Sequence, residues 1–244
     1  MDNAQAPSGS PNVQADLANL TATLYPRSEG GDGNASQQIA SAYQECWLYA
    51  MNPIGFTEDM RNRGKLRPDL ATKIAQASEI TSDRCDGFAG KKIGPSAINA
   101  MLERAARQGN MAARTELFVQ NAILKGATSE QIKSAAVDVL ASGDPEAFAA
   151  IAPLMGSPSA GELQALQPIP AGSPVSEAAW NIAACRLGRQ CGPDSRAVLQ
   201  MCLGGGINCE LRDIQSFYEQ VVLPPADIPK LRQLVGLLTQ GAKQ

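Results

Sequence analysis

Gly109-Asn110-Met111-Ala112-Ala113 and Gly143-Asp144-Pro145-Glu146-Ala147 hold equivalent positions 34 residues apart, with no gap between the two copies. Leu117 then falls opposite Ile151, and Ala106 opposite Leu140. This period belongs to arrays of stacked helix–turn–helix units. Small Ala and Gly residues near each turn let two helices cross closely, while larger residues fill the groove between repeats. The expected fold class is all-α: helical hairpins stacked as a short α-solenoid, or packed as an irregular bundle, and stabilised by disulfides.

The surrounding sequence extends the helical reading. Apolar residues make up 44% of the 244 residues and aromatics 5%, with Ala abundant, which favours closely packed helices over a β-sandwich. Helical spacing of Ile39, Ala42, Tyr43, Cys46, Trp47 and Ala50 predicts a helix over 35–51, stopped by Asn52-Pro53. A polar loop is expected next, then helices over 68–82, 96–108, 111–125, 128–141 and from Pro145 to 155. Further helices are expected over 175–188, 195–203, 210–222 and 228–238. Gly, Pro and Ser crowd two stretches, giving four parts. These are a flexible tether over 1–34, with at most a short helical piece around 13–24, and a helical domain over 35–156. A linker follows over 157–174, then a Cys-rich helical segment over 175–244 packed on the first domain.

Ala105-Ala106-Arg107-Gln108-Gly109-Asn110, with Ala113 and Leu117, resembles the Sel1-like repeat, a relative of the tetratricopeptide repeat. The likeness covers about residues 97–152, counting a weaker copy over Leu140–Ile151. Phe118 departs from the small residue usual there, and no aromatic precedes Leu117. The resemblance implies an α-solenoid fragment used for protein interaction.

Six cysteines, Cys46, Cys85, Cys185, Cys191, Cys202 and Cys209, form an even set grouped as local pairs, which fits an oxidising compartment. Pairing of sequence neighbours is expected, with cross-pairing of Cys185 and Cys191 to Cys202 and Cys209 as the rival. Joining Cys46 to Cys85 would close a loop worth about 4 kcal/mol of chain entropy, and each shorter loop about 2 kcal/mol. The last four thiols could instead hold zinc, but they lack a Cys-x-x-Cys knuckle. The expected location is the periplasm, after a removed signal, with Met1 standing where a processed residue once stood. The polar start Asp2-Asn3-Ala4 is like the stretch after a lipidated Cys, which would tether the chain to a membrane.

No histidine is present, which removes Ser-His-Asp and Cys-His nucleophile systems. A net charge of −3 offers no basic excess for nucleic acid. No apolar stretch reaches the length that spans a bilayer. Glu45 with Glu58-Asp59 could be posed as an acid/base pair, yet nothing in the sequence places them together. Gly204-Gly205-Gly206 lacks the Lys-Ser/Thr ending of a phosphate loop. Arg61, Arg63, Lys65 and Arg67, in the expected loop, are the candidate partner-binding residues, facing an acidic partner or anionic headgroups. The resulting expectation is a non-catalytic protein-binding protein without a cofactor or metal. Its specific form would be an immunity protein that blocks a secreted antibacterial toxin. The alternatives are a peptidoglycan-active enzyme using carboxylates and a structural envelope component.

Overall fold

In the computed structural model, residues 16–156, 169–210 and 212–241 are described; they are helical, with no strand among them. The linker residues 157–168, the first 15 residues of the expected tether, and Leu211 lie outside the described residues.

Twelve α-helices are present among the described residues: α1 (Leu17–Glu29), α2 (Gly33–Met51), α3 (Pro53–Leu66), α4 (Ala71–Cys85), α5 (Pro95–Arg107), α6 (Met111–Lys125), α7 (Ser129–Ser142), α8 (Pro145–Gly156), α9 (Pro174–Arg186), α10 (Arg196–Gly205), α11 (Ile214–Phe217) and α12 (Ile228–Gly241). The hairpin α5–α6 is followed at the 34-residue offset by α7–α8. Gly109 and Gly143 both take positive φ, 86° and 61°, which a residue with a Cβ resists. The next residue caps the second helix in each copy. Asn110 Oδ1 accepts from the Ala113 N–H at 2.8 Å, and Asp144 Oδ1 from the Glu146 N–H at 2.9 Å. Ala113 and Ala147, the equivalent alanines, are fully buried. α6 then packs on α8, so the two hairpins stack through their second helices.

Stacking continues along a row, α1 on α2, α2 on α5, α5 on α6, α6 on α8, α8 on α9 and α9 on α12. α9 is buried almost all round, with Val175, Ala178, Ala179, Trp180, Ile182 and Ala183 inside. A helix apolar on every side belongs at the centre of a core. Trp180 donates its indole N–H to the Pro170 carbonyl at 2.8 Å and packs its ring on Phe148 of α8, centroids 5.0 Å apart.

Three sequence expectations need correction. The stretch 16–34 is not a free tether: α1 docks, burying Leu17, Ala18 and Leu24, with Asp16 capping its start through the Ala18 N–H at 2.8 Å. The Ser28 and Ser36 hydroxyls meet at 2.7 Å, joining α1 to α2. Low hydropathy hid this, because the buried face is only one residue in three or four. The stretch after Asn52-Pro53 is not a loop. Pro53 starts α3 as an N-terminal proline, and the Asn52 side chain caps it at the Gly55 N–H, 2.9 Å away. The proline that ends one helix begins the next. Third, the helix expected over 210–222 shrinks to α11, continued by a π-helical turn, Tyr218–Val222.

The core divides differently from the expected domains. One apolar cluster joins α3 and α4 to the helices from α7 onward, crossing the 157–174 segment. The other gathers α1, α2, α5 and Phe88 of a 3₁₀ turn. α6 serves both: Ala112 belongs to the first cluster and Ala113 to the second.

The disulfides join sequence neighbours: Cys46–Cys85, Cys185–Cys191 and Cys202–Cys209, with Cα separations of 5.3, 5.7 and 4.4 Å. No free cysteine remains, so the tetrathiolate zinc reading has no ligands to stand on. Among the described residues no helix is long and apolar enough to cross a membrane.

Candidate partner-binding site

The four candidate cations occupy different faces of α3 and its end. Arg61 and Lys65 stand one turn apart and line the same groove between α3 and α4, a space of about 560 Å³. Arg63 turns the other way, pairing with Asp59 at 2.9 Å and donating to the Leu203 carbonyl of α10, also at 2.9 Å. Arg67 pairs with Asp69 at 2.8 Å. The structure thus brings two of the four together and spends the other two locally. Helical periodicity accounts for the split: residues four apart share a face, and residues two apart do not.

The groove is lined on the α3 side by Thr57, Met60, Arg61, Gly64 and Lys65, and on the α4 side by Ala71, Ala75, Ser78, Glu79 and Ser82, with Pro68 at the turn. Its floor is small. A Cβ on Gly64 would lie 3.5 Å from the Ala71 Cα, so the helices touch at that end. Sequence reasoning missed Glu79 and this floor. The spacing Gly64, Ala71, Ala75, Ser78 was legible as a small-residue stripe, but the loop assigned to α3 concealed the hairpin. A shallower recess of about 320 Å³ adjoins the groove, sharing Thr57 and Arg61 and adding Tyr49, Pro53, Ile54 and Glu58. Beside it Met51 and Ile54 are 65% and 74% exposed.

A polar seam joins α2, α4, α6 and α10. Glu45 of α2 and Arg84 of α4 form an ion pair, Oε1 to Nε 2.9 Å, with both side chains over 90% buried. That contact lies off the N–H axis, leaving both atoms without a directed hydrogen bond, whereas Arg84 Nη2 donates to Glu45 Oε2 at 3.1 Å. Arg84 also donates to the Asp194 carbonyl at 3.2 Å. Arg196 of α10 donates to Gln44 Oε1 at 2.9 Å and to the Ser41 carbonyl at 3.2 Å. The Gln44 amide donates in turn to the Glu116 carboxylate of α6. Burial pushes the Glu45 carboxyl above its ordinary range, against the pull of Arg84 and Arg196. Burial does the same to Glu116, against Arg196. Further along, Arg189 pairs with Glu146 at 3.2 Å, and burial lowers the guanidinium pKa.

This seam is structural in its geometry. It clamps α10 to α2 and α4 largely through backbone carbonyls. Neither Glu45 nor Glu116 lines the two hollows beside α3 or the third, of about 490 Å³, beside Cys185–Cys191. The proposed acid/base set is not assembled: Glu45 is buried against Arg84, while Glu58 and Asp59 are exposed on α3. The third hollow carries Arg186, Asp213 and Glu219, but Asp213 is occupied capping α11 and Glu219 pairs with Arg232. No group of three or more metal-ligating side chains is gathered among the described residues.

In comparisons with protein-family models, curated proteins and solved structures, nothing matches this chain.

Proposed function

We propose that this chain is a non-catalytic protein-binding protein of the bacterial periplasm or envelope, and that the face around α3 does the binding. The observation that carries the reading is the α3–α4 groove, lined by Arg61 and Lys65, which make no ion pair among the described residues. Elsewhere on α3 the cations Arg63 and Arg67 are neutralised by local carboxylates, so the pair at the groove is set apart. Three disulfides support the compartment, because such bonds persist outside a reducing cytosol. Glu45 and Glu116 sit in a clamp and line none of the three hollows described, which favours binding over catalysis by that pair.

The test is chemical cross-linking of the oxidised full chain in envelope extract. A discrete adduct with one other protein, lost on charge reversal of Arg61 and Lys65, is expected. If cross-linking gives no heterologous adduct and the purified chain degrades cell wall, the reading is overturned. The immunity form adds a narrower demand: expression of the chain must protect a sensitive cell from the bound toxin.

A further inference from the structure

Resting on the protein-binding reading, we propose that the α3–α4 groove receives one amphipathic helix of a partner protein. Carboxylates of that helix face Arg61 and Lys65, and a cation faces Glu79.

Four features of the groove select this occupant. Its length is the first. The lining runs from Thr57 to Lys65 on α3 and from Ala71 to Ser82 on α4. At 1.5 Å per residue that is roughly 12 to 16 Å, two to three helical turns. The second is the floor, where Gly64, Ala71, Ala75 and Ser78 present only small side chains or none. A floor of small residues accepts a whole helix at short interaxial distance, whereas a floor of separate deep pockets would select an extended peptide.

The third feature is charge. The α3 edge carries two cations spaced four residues apart, and the α4 edge carries the exposed carboxylate of Glu79. Lys65 makes only a long 3.4 Å bond to Asn62 Oδ1. No ion pair holds Arg61 or Glu79 among the described residues. A partner helix with acidic residues at i and i+4 matches the α3 edge, since that spacing puts them on one face. Edges of opposite sign reject a uniformly anionic surface, which would meet Glu79 and Glu58 as well as the cations. That favours a protein helix over a lipid headgroup layer. The fourth feature is an anchor. Beyond Arg61, Ile54 and Met51 stand exposed, offering apolar contact to the end of the incoming helix.

The test places a photo-cross-linking amino acid at Ala75, inside the groove, and in a second preparation at Leu124 of α6, outside its lining. Each full, oxidised chain is irradiated in envelope extract, and the cross-linked peptide is sequenced by mass spectrometry. Vesicles of phosphatidylglycerol serve as a parallel probe. The expected result is an Ala75 adduct on a helical segment bearing carboxylates at i and i+4. The double variant Arg61→Glu with Lys65→Glu lowers its yield by about tenfold or more, and reversing the partner's two carboxylates to Lys restores it. Both changes are on exposed side chains, so circular dichroism and melting temperature stay at the unmodified values.

An Ala75 adduct on a second copy of this chain, on lipid, or on a segment without paired carboxylates overturns the inference. So does an adduct insensitive to the charge reversal. Adducts from Leu124 with none from Ala75 overturn the groove assignment and the placing of the binding face at α3, and leave protein binding itself standing. No adduct from Ala75 or Leu124 overturns the groove assignment, and the protein-binding reading falls with it when cross-linking of the whole chain gives no heterologous adduct and the chain degrades cell wall.

Discussion

Removing one member of the Glu45–Arg84 pair should cost the protein more than any surface change, and the size follows from burial. Both side chains are over 90% buried, so each ion has lost nearly all its water. Two unit charges about 4 Å apart attract by about 4 kcal/mol at an effective dielectric of ~20, against several kcal/mol of desolvation per ion. The intact pair therefore adds little net stability, yet breaking it leaves an uncompensated buried charge at about 3–5 kcal/mol. Glu45→Met strands the buried Arg84 guanidinium and should lower the melting temperature by about 6–12 °C for a 3 kcal/mol loss. Arg84→Met strands Glu45, but burial has already raised that carboxyl, so it can neutralise by protonation. Its cost should shrink as pH falls from 7 to about 5, while the cost of Glu45→Met should not. The double variant should lose far less than the sum of the singles, although the Asp194 carbonyl still forfeits its donor. Urea unfolding followed by circular dichroism, with disulfides intact, measures all three in a double-mutant cycle. A loss below about 1 kcal/mol for Glu45→Met, or additive singles, would show that water reaches the pair and that the seam is not a clamp.

Replacing Cys46 and Cys85 together by Ser should cost about 4 kcal/mol, against about 2 kcal/mol for Cys185 with Cys191, because the first loop is longer. Urea midpoints rank the two, and thiol titration of the native chain should find no free SH. Leu24→Ala, on the buried face of α1, should cost about 2–5 kcal/mol, as core truncations do, whereas a free tether would lose nothing. Finally, burial raises Glu45, Glu116, Asp144 and Glu177 above their ordinary values. A carboxyl with a raised folded pKa contributes stability that is present at low pH and lost as pH rises through that value. Melting temperature should therefore be higher at about pH 5 than at pH 7. Asp32 acts oppositely: burial raises it, but the Ala35 N–H and Arg27 outweigh that and hold it low, so its contribution fades only below about pH 4. A melting temperature that falls from pH 7 to pH 5 would contradict these shifts.

By itself the sequence determined the helical class and the placing of two hairpins 34 residues apart, while for the cysteines it offered neighbour pairing with a cross-paired rival. These are local matters. Gly109 and Gly143 end helices because their backbone turns left-handed, and Asn110 and Asp144 cap the next ones. Arg61 and Lys65 were legible as cations, but not as a pair set apart from Arg63 and Arg67. That separation depends on α3 being helical, which Pro53 disguised as a break.

Tertiary structure alone decided the rest. Whether α1 docks depends on a partner face supplied by α2 and Phe88, not on its own weak hydropathy. Glu45 and Arg84 are 39 residues apart and meet because α2 packs on α4, the two helices being joined at the neighbouring residues by Cys46–Cys85. The groove exists because Gly64 lets α3 touch α4 at one end, and no window of sequence shows two helices at once. Short-range hydrogen bonding is written along the chain, whereas burial and charge pairing depend on which surfaces the folded chain brings face to face.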